Sequence, residues 1–363
     1  MLSNSFKRYF SYFSKPQIFA VDINNSDLKI FQIERKNDKD IIRGWSRKIL
    51  PPGVVVDFEI QETDKFVAIL REALGEVSGK KIRGKSVVVS VPEDKVFLRV
   101  IKLPLMKEIE VDEAIHWELE SHIPISVDEV YFDWQIVKRG AKDMDILVAA
   151  TPRKIVDNLI FSFEMAGLTV SALEADSVAS KRSILAVDDN EVTMVVDIGI
   201  DGTAYFIYRD GYPVFSSSSS ISGKLFTDVV SKEFGIDLKK AEHYKTKIGL
   251  GSNKKERDEA LKIYKPILSN LIQEINKTIT FYDENLAIDD KRVEKVVLVG
   301  GGSNLKGLVS YVALYLKKDV AQGDPWKNLR FKKQIPPISK EKAQSYITAI
   351  GLALRGCKDE YFD

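Results

Sequence analysis

The sequence predicts an α/β protein made of two lobes and a small α+β insert. Three segments carry this prediction, at positions 21–26, 195–203 and 296–303. Each joins an apolar, strand-like run to a turn rich in Gly, Asn or Ser. The first two turns place Asp22 and Asp197 175 positions apart, and the third is a run of three glycines. One acidic turn in each lobe suits a clamp around a nucleotide and its metal ion. The glycine turn would let the backbone approach the base and ribose closely.

Composition limits the class of protein. A chain of 363 residues with 44% hydrophobic and 29% charged residues fits a globular protein with two or three cores. The net charge of +1 gives no bulk field for nucleic acid, so we expect no nucleic-acid partner. One cysteine and three dispersed histidines exclude a disulfide framework and a zinc pattern. No apolar run is long enough for a transmembrane helix and no signal peptide is evident, which favours a cytoplasmic location.

The first lobe is predicted at 17–94, completed by 176–190 and 343–363. Alternating residues at 19–33 predict two strands around a polar turn, and 63–77 predict an amphipathic helix. The valine-rich run at 86–91 predicts a buried strand that ends at Pro92. An apolar helix at 343–354 is expected to pack back onto this lobe.

Residues 95–175 are predicted to form the insert. The pattern reads strand 96–103, helix 109–123, strands 130–137 and 144–150, and helix 155–165. The second lobe is predicted at 191–342, with strands at 193–198, 203–209 and 295–299. A polar loop at 252–258, a long helix at 266–285 and a helix at 308–316 capped by Ser303 complete it.

Residues 1–16 form a separate N-terminal segment. Phe6, Tyr9, Phe10 and Phe13 recur at helical spacing beside Lys7, Arg8 and Lys15. Two interpretations stay open: a short helix packed on its own domain, which we favour, or an amphipathic helix on a membrane surface.

With these elements in order, the chain resembles the actin-like, ribonuclease H-like ATPases, and within them the type IV pilus assembly proteins of the PilM family. The resemblance runs from about residue 19 to 356. Its most specific segments are Glu113-Ala-Ile-His-Trp-Glu118, Glu129-Val-Tyr-Phe-Asp133, Ala150-Thr-Pro-Arg153 and Ala349-Ile-Gly-Leu-Ala-Leu-Arg-Gly356. The resemblance implies a two-lobed ATPase fold that holds ATP and Mg²⁺.

The resemblance also implies roles for individual residues. Asp22 and Asp197 would hold magnesium through water, and Asp176 would position an attacking water. The remaining nucleotide contacts would come from Asn24, Asn25, Ser26, Lys29, Gly199, Gly202, Thr203, Glu242, Lys245, Gly300, Gly301, Gly302 and Ser303. Their physical basis is that backbone amides in tight turns bind anions, while i,i+3 spacing places Glu242 and Lys245 on one helix face.

The sequence departs from the family pattern at two places. Asn24 stands where the family has glycine, and Ser222-Gly223 stands where it often has two glycines. Asparagine tolerates positive φ better than most residues, so we expect the first turn to keep its shape.

Two classes of function follow. The first is an assembly module that binds ATP, with at most weak hydrolysis. It would contact the N-terminal cytoplasmic tail of a PilN-like inner-membrane protein and other components of the pilus platform, and so reach the membrane only indirectly. The second is a sugar-kinase-type phosphotransferase, with a GspL-like secretion component as a related alternative.

The insert contains no phosphate or metal pattern, which favours the interpretation that it is a contact surface. Its candidate peptide anchors are Trp117, Ile123, Pro124 and Phe132.

Overall fold

The structure is a computed structural model that describes residues 17–186, 191–251, 253–288, 291–331 and 335–357. The predicted N-terminal segment 1–16 lies outside these residues, as do 187–190 and 358–363, which were assigned to the first lobe. Within the described ranges, no helix is both long and apolar enough to cross a membrane.

A six-stranded sheet organises the first lobe, in the order β11-β7-β1-β2-β3-β6. Strands β1, β2 and β3 form an antiparallel meander, and β7 and β11 add in parallel beside β1. Apart from Ile18, the apolar side chains of β1 and β7 are buried, as their near-continuous apolar sequences predict. The strands are β1 (Ile18–Ile23), β2 (Asp27–Lys36), β3 (Lys39–Ile49), β6 (Ser78–Gly79), β7 (Ser86–Val91) and β11 (Thr169–Ala175), with a separate hairpin of β4 (Val55–Val56) and β5 (Glu59–Ile60).

A five-stranded sheet organises the second lobe, in the order β14-β13-β12-β15-β16. It repeats the first sheet's pattern, because β12, β13 and β14 form an antiparallel meander and β15 and β16 add in parallel. Asp22 in β1 and Asp197 in β12 therefore occupy equivalent places, each just before the turn into the second strand of its meander. The strands are β12 (Thr193–Ile198), β13 (Thr203–Arg209), β14 (Tyr212–Ser219), β15 (Lys295–Val299) and β16 (Asp319–Gln322).

A three-stranded sheet forms the insert, with β8 (Phe97–Pro104), β9 (Val130–Arg139) and β10 (Asp143–Pro152) in the order β8-β10-β9. Helix α2 (Glu108–His122) covers one face and buries Val111, Ile115 and Leu119. The following helix, α3 (Arg153–Met165), and β11 pack with the first lobe, while Arg153 and Asp157 of α3 also contact Tyr131 of β9. Phe163 of α3 meets Phe66 edge-on at 5.9 Å, and β11 pairs in parallel with β7.

Helices cover both faces of the first sheet. Helix α1 (Thr63–Gly75) packs with α3 on one face, and α4 (Asp176–Ile184) packs with α10 (Ile347–Arg355) on the other. The lobes meet in an apolar cluster that includes Ile184, Phe206 and Ile347. Tyr208 OH from the second lobe donates a 2.7 Å hydrogen bond to Ser177 O, which fixes the start of α4 against β13.

In the part of the second lobe that the structure describes there are four helices and a short fifth: α5 (Gly223–Phe234), α6 (Leu238–Ile248), α7 (Lys254–Asn285), α8 (Leu308–Leu316) and α9 (Lys340–Ala343). The prediction that α7 begins at Pro266 is wrong, because the helix begins at Lys254 and contains the proline. Asn253 is the N-cap residue of the helix, and its side chain accepts a hydrogen bond from Glu256 N. Buried Ala260 and Tyr264 anchor the added turns in the core, and this tertiary packing outweighs the local disadvantage of proline.

Candidate functional site

A cleft of about 1840 Å³ lies between the two lobes. Nearly all the residues proposed for the nucleotide line it, together with Asp176: Asp22, Asn24, Asn25, Lys29, Asp197, Gly199, Gly202, Thr203, Glu242, Lys245, Gly300, Gly301, Gly302 and Ser303. Ser26 lies at the rim, where its Oγ donates a 2.5 Å hydrogen bond to Asp201 Oδ1 of the opposite lobe. Segments up to 326 positions apart in the chain therefore meet around one space.

The first turn is built by the side chain of Asn24. Its Oδ1 accepts hydrogen bonds from Ser26 N at 2.9 Å and Asp27 N at 2.8 Å, and Asn24 N donates to Asp27 O. The expectation that Asn24 adopts a positive φ is wrong, because its backbone lies outside the left-handed region. Asparagine forms the turn through its side chain instead. The amides of Asn24 and Ser26 are thus engaged within the turn, which limits the amide nest expected there.

A buried ion network lies directly behind this turn. Lys29 Nζ lies 2.9 Å from Asp22 Oδ2 and 3.1 Å from Asp27 Oδ1, and Arg47 pairs with Asp27 at 2.5 Å. Burial alone would lower the pKa of Lys29, but the charges of Asp22 and Asp27 outweigh it and raise that pKa. Lys29 therefore stays protonated and holds Asp22 at the cleft wall, where Ser90 Oγ also donates to Asp22 Oδ1.

The second turn is closed by backbone hydrogen bonds. Gly199 N donates to Gly202 O at 2.8 Å, and Gly223 N at the start of α5 donates to Gly199 O at 2.8 Å. Thr203 Oγ1 donates to Ile221 O at 2.6 Å, which ties β13 to the segment before α5. Asp197 stands at the head of this turn, and burial raises its pKa to about 6, with Lys29 opposing and Asp22 adding to the rise.

The glycine loop touches the second turn directly. Gly300 has φ +79°, and a Cβ atom there would lie 2.2 Å from Asp197 Oδ1 and 2.6 Å from Ile198 O. Only glycine can adopt this positive φ and also lacks the Cβ atom that would clash with Asp197 and Ile198. Ser303 does not cap α8 as predicted: its Oγ donates to Gly300 O at 2.8 Å, and Gly307 occupies the N-cap position. The serine therefore closes the glycine loop instead of starting the helix.

Asp176 is a buried carboxyl at the first residue of α4. The N-cap position belongs to Ala175, so Asp176 is not the residue that caps this helix. Burial raises the pKa of Asp176 well above its usual value, and the charges of Asp22, Glu93 and Asp197 add to the rise. Its Oδ1 has no hydrogen-bond partner among the described residues. A buried acceptor of this kind at a cleft wall suits a bound water or a hydrated cation.

Glu242 and Lys245 form a bonded pair on α6. Lys245 Nζ lies 2.7 Å from Glu242 Oε2 and donates to Thr227 Oγ1 at 2.9 Å and Gly223 O at 3.0 Å. Thr227 Oγ1 in turn donates to Glu242 Oε2 at 2.5 Å. The threonine hydroxyl thus positions both charged side chains at the cleft.

Sequence reasoning missed several cleft residues, notably Glu93 and Thr227. Glu93 accepts hydrogen bonds from Ser177 N and Oγ, and burial raises its pKa. One signal pointed to Glu93: it follows β7, and the carboxyl ends of parallel β1 and β7 meet at one sheet edge. No sequence pattern near Thr227 indicated its role, because the hydroxyl acts by binding Glu242 and Lys245, which lie on the next helix, α6.

The carboxylates provide a test of whether the site fits magnesium. Asp22, Asp176 and Asp197 supply oxygen ligands of the kind Mg²⁺ prefers, with Lys29 as the neighbouring cation. No group of three or more Asp, Glu, His or Cys side chains in the described residues is close enough to hold an ion directly. Carboxylates at one cleft wall, with Asp176 Oδ1 unpartnered among the described residues, fit an ion that keeps water ligands, as magnesium usually does.

The proposed peptide anchors occupy different environments on the insert. Ile123 and Phe132 are partly buried against the core of the three-stranded sheet, and Pro124 is exposed. Trp117 on α2 is 64% exposed. In the described residues β9 pairs only with β10, so its outer edge is available for another strand.

Comparison with known structures identifies the fold as actin-like. The chain is similar to MreB 5 of Spiroplasma citri bound to AMPPNP, at 12% identity and a TM-score of 0.51 over 94% of this chain and 96% of that one. It is also similar to the ethanolamine utilization protein EutJ from Carboxydothermus hydrogenoformans, at 15% identity and a TM-score of 0.54 over 94% and 90%. The predicted actin-like, two-lobed class is confirmed.

The family is identified by sequence. The model for the type IV pilus assembly protein PilM matches residues 20–357, and the chain belongs to that family. A solved PilM–PilN type IV pilus biogenesis complex matches 95% of this chain and 100% of that one, at 26% identity and a TM-score of 0.78. The cell division protein FtsA of Neisseria meningitidis serogroup B is 25% identical over 56% of this chain and 52% of its own length. FtsA of Buchnera aphidicola is 24% identical over 57% and 53%. The chain spans about half the length of these curated relatives.

Proposed function

We propose that this protein is an ATP-binding assembly module of the type IV pilus platform. Its insert binds the N-terminal cytoplasmic tail of a PilN-like inner-membrane protein, and this contact holds the protein at the cytoplasmic face of the inner membrane. The observation that carries the proposal is the convergence of two acidic turns and a glycine loop on one interlobe cleft in a chain of the PilM family. The similarity to the PilM–PilN complex supports the choice of partner.

The nucleotide would lie between the two turns. Asp22 and Asp197 would hold magnesium through water, and the bound ion would offset phosphate charge. Gly300 to Gly302 would admit the adenosine, with Glu242 and Lys245 at its ribose and base. Asp176 Oδ1 would accept a hydrogen bond from a water near the phosphates. Hydrolysis at such a site would be slow unless the lobes close enough to align that water.

A set of side-chain contacts connects the cleft to the insert through the β4–β5 hairpin. Asn25 Oδ1 in the first turn accepts a hydrogen bond from Phe58 N at 3.1 Å. On the other side, Asn158 of α3 binds Ile60 N and O at 2.8 and 3.1 Å, and Lys95 at the base of the insert pairs with Asp57. A movement of the first turn would therefore be transmitted to the insert through these few contacts. This supports the proposal that the nucleotide influences how the insert binds its protein partner.

The test is fluorescence anisotropy with a labelled peptide copied from the tail of the PilN-like protein of the same genome. We expect saturable binding that Trp117→Ala weakens about tenfold, because buried aromatic anchors dominate such interfaces. Tyr315→Ala is the matched control, since Tyr315 is 56% exposed on the second lobe. Absence of binding by the wild type would refute the partner assignment. Strong stimulation of phosphate release by a sugar would favour the kinase alternative.

A further inference from the structure

Glu93 lines the cleft, but the proposed nucleotide contacts give it no role. It begins a short 3₁₀ turn, Glu93–Lys95, which joins β7 of the first lobe to β8 of the insert. Both oxygens of its carboxylate contact a single residue of another element. Oε1 accepts a hydrogen bond from Ser177 Oγ at 2.8 Å, and Oε2 accepts one from Ser177 N at 3.2 Å.

Ser177 is the second residue of α4, and its amide lacks a partner within the helix. The first amides of any helix have no intrahelical acceptor, and the N-cap residue here, Ala175, makes no side-chain hydrogen bond. Glu93, 84 positions away in the chain, therefore does what an N-cap side chain ordinarily does. Because Ser177 is completely buried, water could not readily replace these hydrogen bonds if the carboxylate were removed.

The carbonyl of Ser177 is held from the second lobe. The hydroxyl of Tyr208, a residue of β13 that is 1% exposed, donates to Ser177 O at 2.7 Å. The amide, the hydroxyl and the carbonyl of Ser177 are thus each bound by a side chain from outside α4. Asp176 is joined to Ser177 by one peptide bond, so its place in the cleft depends on the same contacts.

The body of α4 is fixed separately, by the first lobe. Glu174, just before the helix, pairs with Arg182 at 2.6 Å and with Arg355 of α10 at 2.8 Å. Ala179 packs so closely on α10 that a Cβ atom at Gly351 would lie 1.8 Å from Ala179 O. Removal of the Glu93 carboxylate would therefore loosen the first turn of α4 and leave the rest of the helix in place.

We propose that Glu93 is a positioning residue, which holds Asp176 where it meets the water of ATP hydrolysis. This proposal rests on the proposed function, in which Asp176 Oδ1 accepts a hydrogen bond from a water near the phosphates. That oxygen has no hydrogen-bond partner among the described residues, so its position follows from the backbone that carries it. A misplacement of about 1 Å can slow a reaction about a hundredfold. Glu93 would thus control the rate of hydrolysis and leave the affinity for ATP unchanged.

The test is the steady-state rate of phosphate release by the full chain with ATP and Mg²⁺, together with calorimetric titration of ATP. Glu93→Ala should lower kcat at least fivefold and change the affinity for ATP less than twofold. Asp94→Ala is the matched control, because Asp94 is an exposed acid of the same turn that pairs with Lys95 at 3.3 Å. The control should change kcat less than twofold.

A double-mutant cycle tests whether Glu93 acts through Asp176. Asp176→Asn already removes the carboxylate that Glu93 would position. Adding Glu93→Ala to it should therefore slow phosphate release less than twofold further, whereas a merely structural role would multiply the two losses. Ser177→Ala removes only the hydroxyl that binds Glu93 and should lower kcat at least threefold. This second variant keeps the proposal testable if thermal melting shows that Glu93→Ala does not fold.

Four results would overturn the proposal: ATP bound by the wild type without any phosphate release, a kcat within twofold of the wild type in both Glu93→Ala and Ser177→Ala, an equal loss in Asp94→Ala, or losses that multiply in the cycle. In each of these cases the wild type still binds ATP, so the proposed function would stand. Absence of ATP binding by the wild type would refute the proposed function, and the role of Glu93 with it.

Discussion

Replacing Asp197 with asparagine should stabilise the nucleotide-free protein and weaken its binding of magnesium and ATP. The side chain stands at the head of the second turn, where burial raises its pKa from 3.8 to about 6. Gly300 lies so close that a Cβ atom there would fall 2.2 Å from Asp197 Oδ1. Asparagine has nearly the same shape, so it relieves the buried charge without leaving a cavity.

The magnitude follows from the pKa. A rise from 3.8 to about 6 corresponds to about 3 kcal/mol of unfavourable free energy in the charged, folded state. The carboxylate opens to the cleft, where water screens it, so we expect about 1 to 2 kcal/mol at pH 7. Between pH 4 and 6 the folded state holds a proton that the unfolded state releases, so this group's contribution to stability falls as pH rises to 6. The advantage of the variant should therefore shrink below pH 6.

Urea unfolding from pH 5 to 8 measures the stability difference, and calorimetry with ATP and Mg²⁺ measures the binding loss. Asp201→Asn is the control, because Asp201 lies in the same turn but is exposed, and it should leave stability unchanged within about 0.5 kcal/mol. If Asp197→Asn lowered stability at pH 7, or left the magnesium dependence of binding intact, the assigned role would be refuted.

Three further outcomes test other parts of the structure. Thr227→Val should weaken ATP binding about tenfold in calorimetry while Thr227→Ser retains it, because only the hydroxyl positions the ion pair on α6; equal losses would contradict this. Asp176→Asn should reduce the slow phosphate release that we propose at least tenfold without changing ATP affinity, and an unchanged rate would exclude its role at the water. Gly351→Ala should destabilise by about 3 kcal/mol in urea, since its Cβ would lie 1.8 Å from Ala179 O, whereas Gly75→Ala has free space and should be neutral.

Local chemistry made the lobes predictable from sequence. Alternating apolar residues and the turn after Asp22 specify β1 and β2 within fifteen residues, and the same pattern recurs after Asp197. The glycine loop was predictable because three consecutive glycines after an apolar strand indicate a close backbone approach. The observed contact between Gly300 and Asp197 follows from the parallel pairing of β12 with β15.

Features that depend on distant packing were not predictable from the sequence. Strand β11 joins the first sheet because it pairs with β7, and no periodicity in 169–175 distinguishes that sheet from the insert. The first turns of α7 were not predicted as helix, and 252–258 was interpreted as a polar loop, because the apolar anchors Ala260 and Tyr264 are sparse among charged residues. Asn24 was assigned to the turn correctly but for the wrong reason, since its side chain, not its φ, makes the turn.

The most direct test of the account is calorimetric titration of ATP into purified protein freed of co-purified nucleotide, with and without magnesium. We predict binding at one site per chain, at least tenfold tighter with magnesium, and lost in Gly300→Ala because its Cβ would displace Asp197. No binding at millimolar ATP, or affinity unchanged by magnesium and by Gly300→Ala, would contradict the claim that the interlobe cleft is a nucleotide site.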